Sequence, residues 1–429
     1  MHIFFSGIGG TAIGPLALIA KQAGYDVSGS DKQNSKYIEY LNKKGIENIS
    51  IGQSYQDIQK IHQKNPIDWY VFSSAVFIEN PDADEFKFTR EMGIKTSKRD
   101  GLINKIVSDK NLKMLAIAGT HGKTTTTAML IWLFKSLNKP ISYSVGAKIN
   151  FGEMGQYQEG SEYFIYEADE FDRNFLAFEP HETLITGVTW DHHEVFPDRE
   201  DYKDAFREFV SQSKHTFVWS EDFDYLDLRS EDSIVVLDSA NQEISEIKLK
   251  GLYNRLDAFL AINCFTHITG KNTTEAINII NKFPGSSRRM EEITTNLYSD
   301  YAHTPEKIKG AMSIAKEIAN ENNQKLVVVY EPLTNRRQHF MKEQYKDSFE
   351  GVDKLYWVPS YLAREDPSQE ILTPEELIKQ LNNPEIAEPR QLNHRLLMDI
   401  KQCLEDNNLV VCLSGGGGKS LDEWLRDNF

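Results

Sequence analysis

Short apolar runs that end in polar residues recur along this 429-residue chain, and glycine turns or amphipathic stretches separate them. The first is His2–Ser6, which leads through "GIGGTAIGPLA" into a helical pattern reaching about Gly24, then into "YDVSGSD". Apolar runs alternating with helical periods predict parallel strands buried on both faces. "IDWYVFSSA", a helix from about Pro81 and "IKTSKRD" continue this first series. "KMLAIAG", "EYFIYEAD" and "ETLITGVTW" form a second series, with a long helix over "GLYNRLDAFLAINCFTHITG" toward its end. "FPGSSRRMEEI" then breaks the pattern with Pro, Gly, Ser and a basic pair, and reads as a linker. In the third series "LYSDYAHTP", "KLVVVYEPL", "KLYWVPSY" and "NLVVCLSGGGG" alternate with helices such as "TPEKIKGAMSIAKEIANE". The pattern predicts an α/β protein of three domains, over residues 1–105, 106–288 and 289–429.

Length agrees with that division, since 429 residues exceed what one core supports. The composition, 40% hydrophobic and 26% charged, is that of a globular protein. A formal net charge of −16 argues against nucleic-acid or anionic-membrane partners, which select basic surfaces. No apolar run approaches the length of about 18 residues that a membrane helix needs, so no membrane insertion is expected. The apolar N-terminus lacks the cationic lead of a signal peptide, and its glycines sit at motif positions, so the cytoplasm is the expected location. Cys264, Cys403 and Cys412 show no metal or disulfide spacing and read as buried or free thiols.

Three strand ends carry candidate chemistry. "AIAGTHGKTTTTAML" runs from strand to glycine turn to helix, a form that binds phosphates through backbone N–H groups and the helix dipole. Lys123 supplies a charge for the outer phosphates, and Thr124 or Thr125 a hydroxyl for Mg2+. The loop departs from G-x-x-x-x-G-K-[ST], because Ile117 stands where the first glycine belongs; its glycines are Gly119 and Gly122. A helix N-terminus with a chance G-K-T is the plain alternative. "EADE" places Glu167, Asp169 and Glu170 at the next strand end, where a metal bridge or an ordinary acidic loop both fit. "TWDHHEVF" adds Asp191, His192 and His193 at a third. "GIGG" allows a tight turn and the approach of a pyrophosphate, with Asp31 at the distance for a ribose or sugar hydroxyl; an unliganded strand–helix turn is the alternative. "SGGGGKS", near the C-terminus, reads as a turn beside a ligand cleft.

In this order along the whole chain, these motifs resemble those of the Mur ligases, ATP-dependent amide-forming enzymes of peptidoglycan precursor synthesis. "GIGG" resembles the family's UDP-binding turn, and "AGTHGKTTTT" its phosphate loop with this same short spacing. "EADE" with Asp172 and Phe175, "DHHE", "GLYNRLDA", "SSRRMEE" and "SDYAHTP" resemble its metal, adenine, arginine and ribose segments. The resemblance implies a Rossmann-like N-terminal domain for a UDP-sugar, a central P-loop ATPase domain and a Rossmann-like C-terminal domain. It implies ATP contacts from Gly119, Thr120, His121, Gly122, Lys123, Thr124 and Thr125, and from Asn254, Asp257, Arg289 and Asp300. It implies UDP-sugar contacts from Gly7, Ile8, Gly9, Gly10, Ser30, Asp31, Ser73 and Ser74. Two Mg2+ ions would be held by Thr124, Glu167 and His192, and catalysis would rest on Lys123, Glu167, His192 and Arg289. His303 and Arg337 would face the amine.

Within the family, "THGKTTTT", "EADE" and "SSRRMEE" resemble the branch that joins L-alanine to UDP-N-acetylmuramate, or the branch that attaches a recycled peptide. Arg207 stands where other branches carry a metal-bridging lysine. Tyr253 and Asp257 depart from the adenine segment's usual His and Asn. In "EPLTNRRQ", Leu333 and Thr334 replace an expected His-Arg pair, leaving Arg337. A monomer or homodimer is expected. An ATPase switch and a non-catalytic UDP-sugar binder are the readings from other classes. The second glycine-rich fold argues against the switch, and intact Lys123, Glu167 and His192 argue against the binder.

Overall fold

The first sheet is wholly parallel and lies in the order β3-β2-β1-β4-β5. Its strands are β1 (His2–Ser6), β2 (Asp26–Asp31), β3 (Ile49–Ile51), β4 (Trp69–Phe72) and β5 (Lys95–Lys98) in a computed structural model that describes residues 1–73, 76–77, 80–191, 195–362 and 365–429. The order reverses between β1 and β4. Ligands of open α/β sheets bind at such a switch, beyond the carboxyl ends of the strands.

The second sheet comprises β6 (Lys113–Ala118), β7 (Ser142–Ser144), β8 (Gly155–Gln156), β9 (Tyr163–Glu167), β10 (Glu182–Ile185), β11 (His215–Trp219) and β12 (Ile234–Leu237). Its order is β12-β11-β10-β6-β9-β7-β8, parallel except where β8 runs against β7. The third comprises β13 (Glu291–Thr294), β14 (Leu297–Asp300), β15 (Leu326–Glu331), β16 (Lys354–Trp357), β17 (Ala387–Pro389) and β18 (Leu409–Ser414). It lies in the order β13-β14-β18-β15-β16-β17, parallel except for β13 against β14. The α/β class with three mainly parallel sheets is as the sequence pattern predicts.

The chain forms two compact units, residues 1–247 with 257–284, and residues 248–256 with 285–429. The first unit holds two sheets. The expected boundary at 105/106 falls inside the helix Arg99–Asp109. That helix buries Leu102, Ile103 and Ile106 in a core shared by Ile3 and Val71 of the first sheet and by Met114, Ala116 and Phe164 of the second. Each such side chain contributes roughly 1.5–3 kcal/mol, so the helix joins the two sheets. The other expected break, in "FPGSSRRMEEI", lies close to the change of unit at 284/285. Among the described residues, no helix is long and apolar enough to cross a membrane. All three cysteines are buried and free.

Candidate active site

The phosphate loop begins where β6 ends. Gly119 has φ +141°, and a Cβ there would lie 2.9 Å from the Gly187 carbonyl oxygen, so only glycine lets the loop press onto the chain that leaves β10. Gly122, left-handed at φ 77°, opens the helix Lys123–Lys135 without a side-chain cap. A helix start of this kind, with the helix dipole behind it, suits an anion.

Acids surround the lysine of this loop. Lys123 Nζ lies 2.8 Å from Glu170 Oε2, whose side chain is fully buried, and also donates to the Gly119 carbonyl. Burial disfavours the ammonium, but Glu170, Asp169 and Glu167 outweigh it and hold its pKa above the ordinary lysine value. Thr124 Oγ1 donates to Glu167 Oε1 at 2.8 Å, and the Gly146 N–H donates to Glu167 Oε2 at 2.6 Å. Glu167 closes β9 opposite Ile117 of β6, which brings the carboxylate to the loop. A hydroxyl and a carboxylate at this spacing form a hard-oxygen donor pair that fits Mg2+. The acidic turn is tied in turn to the first sheet: Lys98 pairs with Asp172, and Arg99 Nη2 donates to Asp169 Oδ2 at 3.0 Å. Asp172 and Arg173 both adopt left-handed φ values, 56° and 54°, a costly conformation for residues other than glycine.

Several expected contacts are turned elsewhere. Thr120, expected among the ATP ligands, is buried; its N–H donates to the Gly187 carbonyl at 2.8 Å and its hydroxyl to the Thr189 carbonyl at 2.8 Å. The same hydroxyl lies 2.8 Å from that of Tyr202, so Thr120 locks the loop to the neighbouring strand end. The His121 carbonyl accepts from Thr186 Oγ1. Thr125 is half-buried in the first helical turn. Asp257 lies directly beneath the loop, where a Cβ on Gly122 would be 2.5 Å from its Oδ1. Burial pushes the Asp257 carboxyl up to about 7. Near neutral pH this residue is therefore part donor and part acceptor, whereas an ionised aspartate only accepts. His192 and Ser74 lie outside the described residues. Arg207 is held at the surface by Glu200, Asp204 and Asp227.

At the first sheet's switch point, the N–H groups of Gly7 and Ile8 both donate to the Ser30 carbonyl, at 2.9 and 3.0 Å. The Gly9 N–H donates to Asp31 Oδ2 at 2.8 Å, and the Gly10 N–H to the Gly7 carbonyl at 3.0 Å. Asp31 thus braces the turn with one of the oxygens expected to read a ribose. Ser30 is buried, and Ser73 lies beside Gly7, its Oγ accepting from the Val76 N–H at 3.3 Å.

In the second unit, Asn254 Nδ2 donates to the Lys250 carbonyl at 2.8 Å. Asp300, expected at the ribose, accepts from the backbone N–H groups of Met290 and Ala302, both at 2.8 Å, and so fixes the turn that carries Arg289. Burial raises its pKa against the pull of Arg289 and Arg288. Arg288 and Arg289 both lie over the Tyr301 ring, at 4.6 and 5.2 Å. His303 and Arg337 adjoin: His303 Nδ1 is 2.8 Å from the Tyr301 carbonyl, and Nε2 is 3.2 Å from Arg337 Nη1. A carbonyl only accepts and a guanidinium only donates, which assigns the proton to Nδ1 and leaves the Nε2 lone pair to the arginine. Burial, with Lys307, Arg337 and Arg289, holds His303 well below the usual histidine range, hence neutral.

Glu331 is a candidate that the sequence reading did not mark. It accepts from Ser414 Oγ at 2.5 Å and from the Leu421 N–H at 3.1 Å, gripping both ends of "SGGGGKS". Gly415 of that turn packs against the His303 ring, 2.7 Å from Cγ to an added Cβ. Glu170 was visible only as the last letter of "EADE", and nothing in the sequence marks the left-handed Asp172–Arg173 pair.

Residues 2–111 match the catalytic domain of the Mur ligase family, and residues 117–283 match the Mur ligase middle domain. A UDP-N-acetylmuramate–L-alanine ligase of Campylobacter jejuni subsp. doylei is 30% identical over 397 residues, 85% of this chain and 87% of that protein. One from Lactobacillus acidophilus is 28% identical over 448 residues, 97% and 96% of the two chains. The crystal structure of a UDP-N-acetylmuramate–alanine ligase from Thermotoga maritima superimposes with a TM-score of 0.73 at 22% identity, covering 97% of this chain and 96% of that one. A murein peptide ligase from Psychrobacter arcticus gives 0.59 at 20% identity, over 100% and 99%.

Proposed function

This chain belongs to the Mur ligase family, and we propose that it joins L-alanine to the lactyl carboxylate of UDP-N-acetylmuramate, converting ATP to ADP and phosphate. The observation that carries this reading is Lys123 at the head of a phosphate-binding helix, ringed by Glu167, Asp169 and Glu170. Curated L-alanine ligases spanning 85–97% of the chain support the choice of amine.

The reaction begins with a collision of anions, a carboxylate meeting a triphosphate, so positioning and charge neutralisation carry most of the catalysis. The N–H groups after Gly122 and the Lys123 ammonium hold the phosphates. Thr124, Glu167 and His192 would hold Mg2+, two ions in this reading, which supplies charge neutralisation between the two anions. The carboxylate oxygen attacks the γ-phosphorus, and ADP leaves. The amine then attacks the acyl carbon and expels phosphate. "GIGG", Ser30, Asp31, Ser73 and Ser74 would bind the UDP-sugar, and Asn254, Asp257, Asp300 and Arg289 the nucleotide. Arg337 would meet the amino acid's carboxylate, oriented by neutral His303. In this scheme residues 1–105, 106–288 and 289–429 serve UDP-sugar, ATP and amine respectively.

The test is ADP release with UDP-N-acetylmuramate and, in turn, L-alanine, L-serine, glycine and the L-alanyl-γ-D-glutamyl tripeptide. L-Alanine should give the highest kcat/KM. Lys123→Ala should lower it by about 10²–10³-fold or more while leaving UDP-sugar binding intact. Preference for the tripeptide would assign the chain to the peptide-attaching branch instead. ADP release that needs no amine would make it an ATPase.

A further inference from the structure

We propose that His181, Glu182 and His215, with His267 as a fourth donor, form a Zn2+-type metal site at the end of the central sheet opposite the nucleotide loop. Glu182 is the first residue of β10 and His215 the first of β11, and the two are register partners in the parallel ladder. His181 immediately precedes β10, and His267 lies in the last turn of the helix Leu252–Thr269. Three separate elements thus deliver four donors to one point.

The geometry at that point is close to what a tetrahedral ion needs. Glu182 Oε1 is 3.0 Å from His181 Nδ1, 3.2 Å from His215 Nδ1 and 4.0 Å from His267 Nε2. The ligand atoms of His181, Glu182 and His215 all lie within 4.8 Å of one another. Zn2+ bonds of about 2.0–2.1 Å place tetrahedral donors roughly 3.3–3.4 Å apart, so the imidazoles require only small side-chain adjustments.

Glu182 itself supplies the independent sign of a missing partner. Its side chain is 1% exposed, and its Oε2 has no hydrogen-bond partner among the described residues. A buried carboxylate with one oxygen facing imidazoles and the other facing nothing is expensive unless a cation completes it. In the metal-free protein both Nδ1 atoms lie within hydrogen-bond distance of Oε1; the ion would replace both contacts and take each nitrogen as a neutral ligand. Lys214 Nζ, 3.4 Å from His181 Nε2, lies on the exposed side and can turn away to solvent. Imidazoles with a single carboxylate favour Zn2+ or its analogue Co2+ over Mg2+, which separates this site chemically from the oxygen pair at Thr124 and Glu167. Its effect is structural, since it joins the starts of β10 and β11 to the end of a long helix, away from the reacting groups.

The experiment is titration of metal-stripped protein with Co2+ in millimolar Mg2+, which occupies hard-oxygen sites. Wild type should take up one equivalent with the intense visible bands of tetrahedral Co2+, displaced by Zn2+, and saturating Zn2+ should raise the unfolding midpoint by about 5 °C. His215→Ala should lose the bands and the shift while keeping ligase turnover within about twofold. His181→Gln, which keeps a polar side chain at a half-buried ring, gives the same comparison if His215→Ala fails to fold. Absence of tetrahedral Co2+ in wild type, or identical uptake in wild type and variants, overturns the proposal.

Discussion

Asp257 shows how much a single residue's setting changes its chemistry. It occupies the space under Gly122 that no other loop residue could spare, and burial lifts its pKa from 3.8 to about 7. Between those values the native state holds a proton that the unfolded chain has lost, so stability falls as pH rises through that window and the penalty is complete above it. At about 1.36 kcal/mol per unit, the upper bound is about 4 kcal/mol. Asp257→Asn removes the titration. Urea unfolding should show the variant more stable than wild type at about pH 8, with a flatter profile down to about pH 5; parallel profiles would contradict this. That result could not be read from the sequence. It showed an acid where the family usually has an amide, but burial is a property of the fold. Lys123, Thr124 and Glu167, by contrast, were legible because strand, glycine turn and helix follow one another locally. The burial of Thr120 was not legible for the opposite reason: its partners, Gly187, Thr189 and Tyr202, lie far along the chain.

At the scale of elements, the principal strands of each sheet could be read from apolar runs, and β1 matches its expected span residue for residue. Short elements such as β3, β7 and β8 carry too few residues to show a period and were not anticipated. The helix Arg99–Asp109 was cut by the expected domain boundary because its two sets of contacts, with β1 and β4 on one side and β6 and β9 on the other, leave no trace in local sequence. Since it buries Leu102, Ile103 and Ile106 between both sheets, and Lys98 and Arg99 pair with Asp172 and Asp169, the two sheets should unfold together. Hydrogen exchange across a urea series should give one midpoint for peptides covering β1 and β4 and for those covering β6 and β10. Separate midpoints would show two independent domains.

At the scale of the whole molecule, each glycine-rich turn stands at a place where its sheet changes direction: "GIGG" between β1 and β4, the phosphate loop between β9 and β10, "SGGGGKS" after β18. Beside these turns stand, in order, a backbone turn braced by Ser30 and Asp31, a lysine with a hard-oxygen pair, and a neutral histidine against an arginine. The central claim is that the carboxylate is activated by phosphorylation at the loop of Lys123. It is tested most directly by supplying UDP-N-acetylmuramate with both lactyl carboxylate oxygens as ¹⁸O, together with ATP and L-alanine, and analysing the products by mass spectrometry. The account predicts one ¹⁸O in the released inorganic phosphate and one retained in the amide for every turnover. Phosphate that carries no ¹⁸O while the amide forms would contradict it.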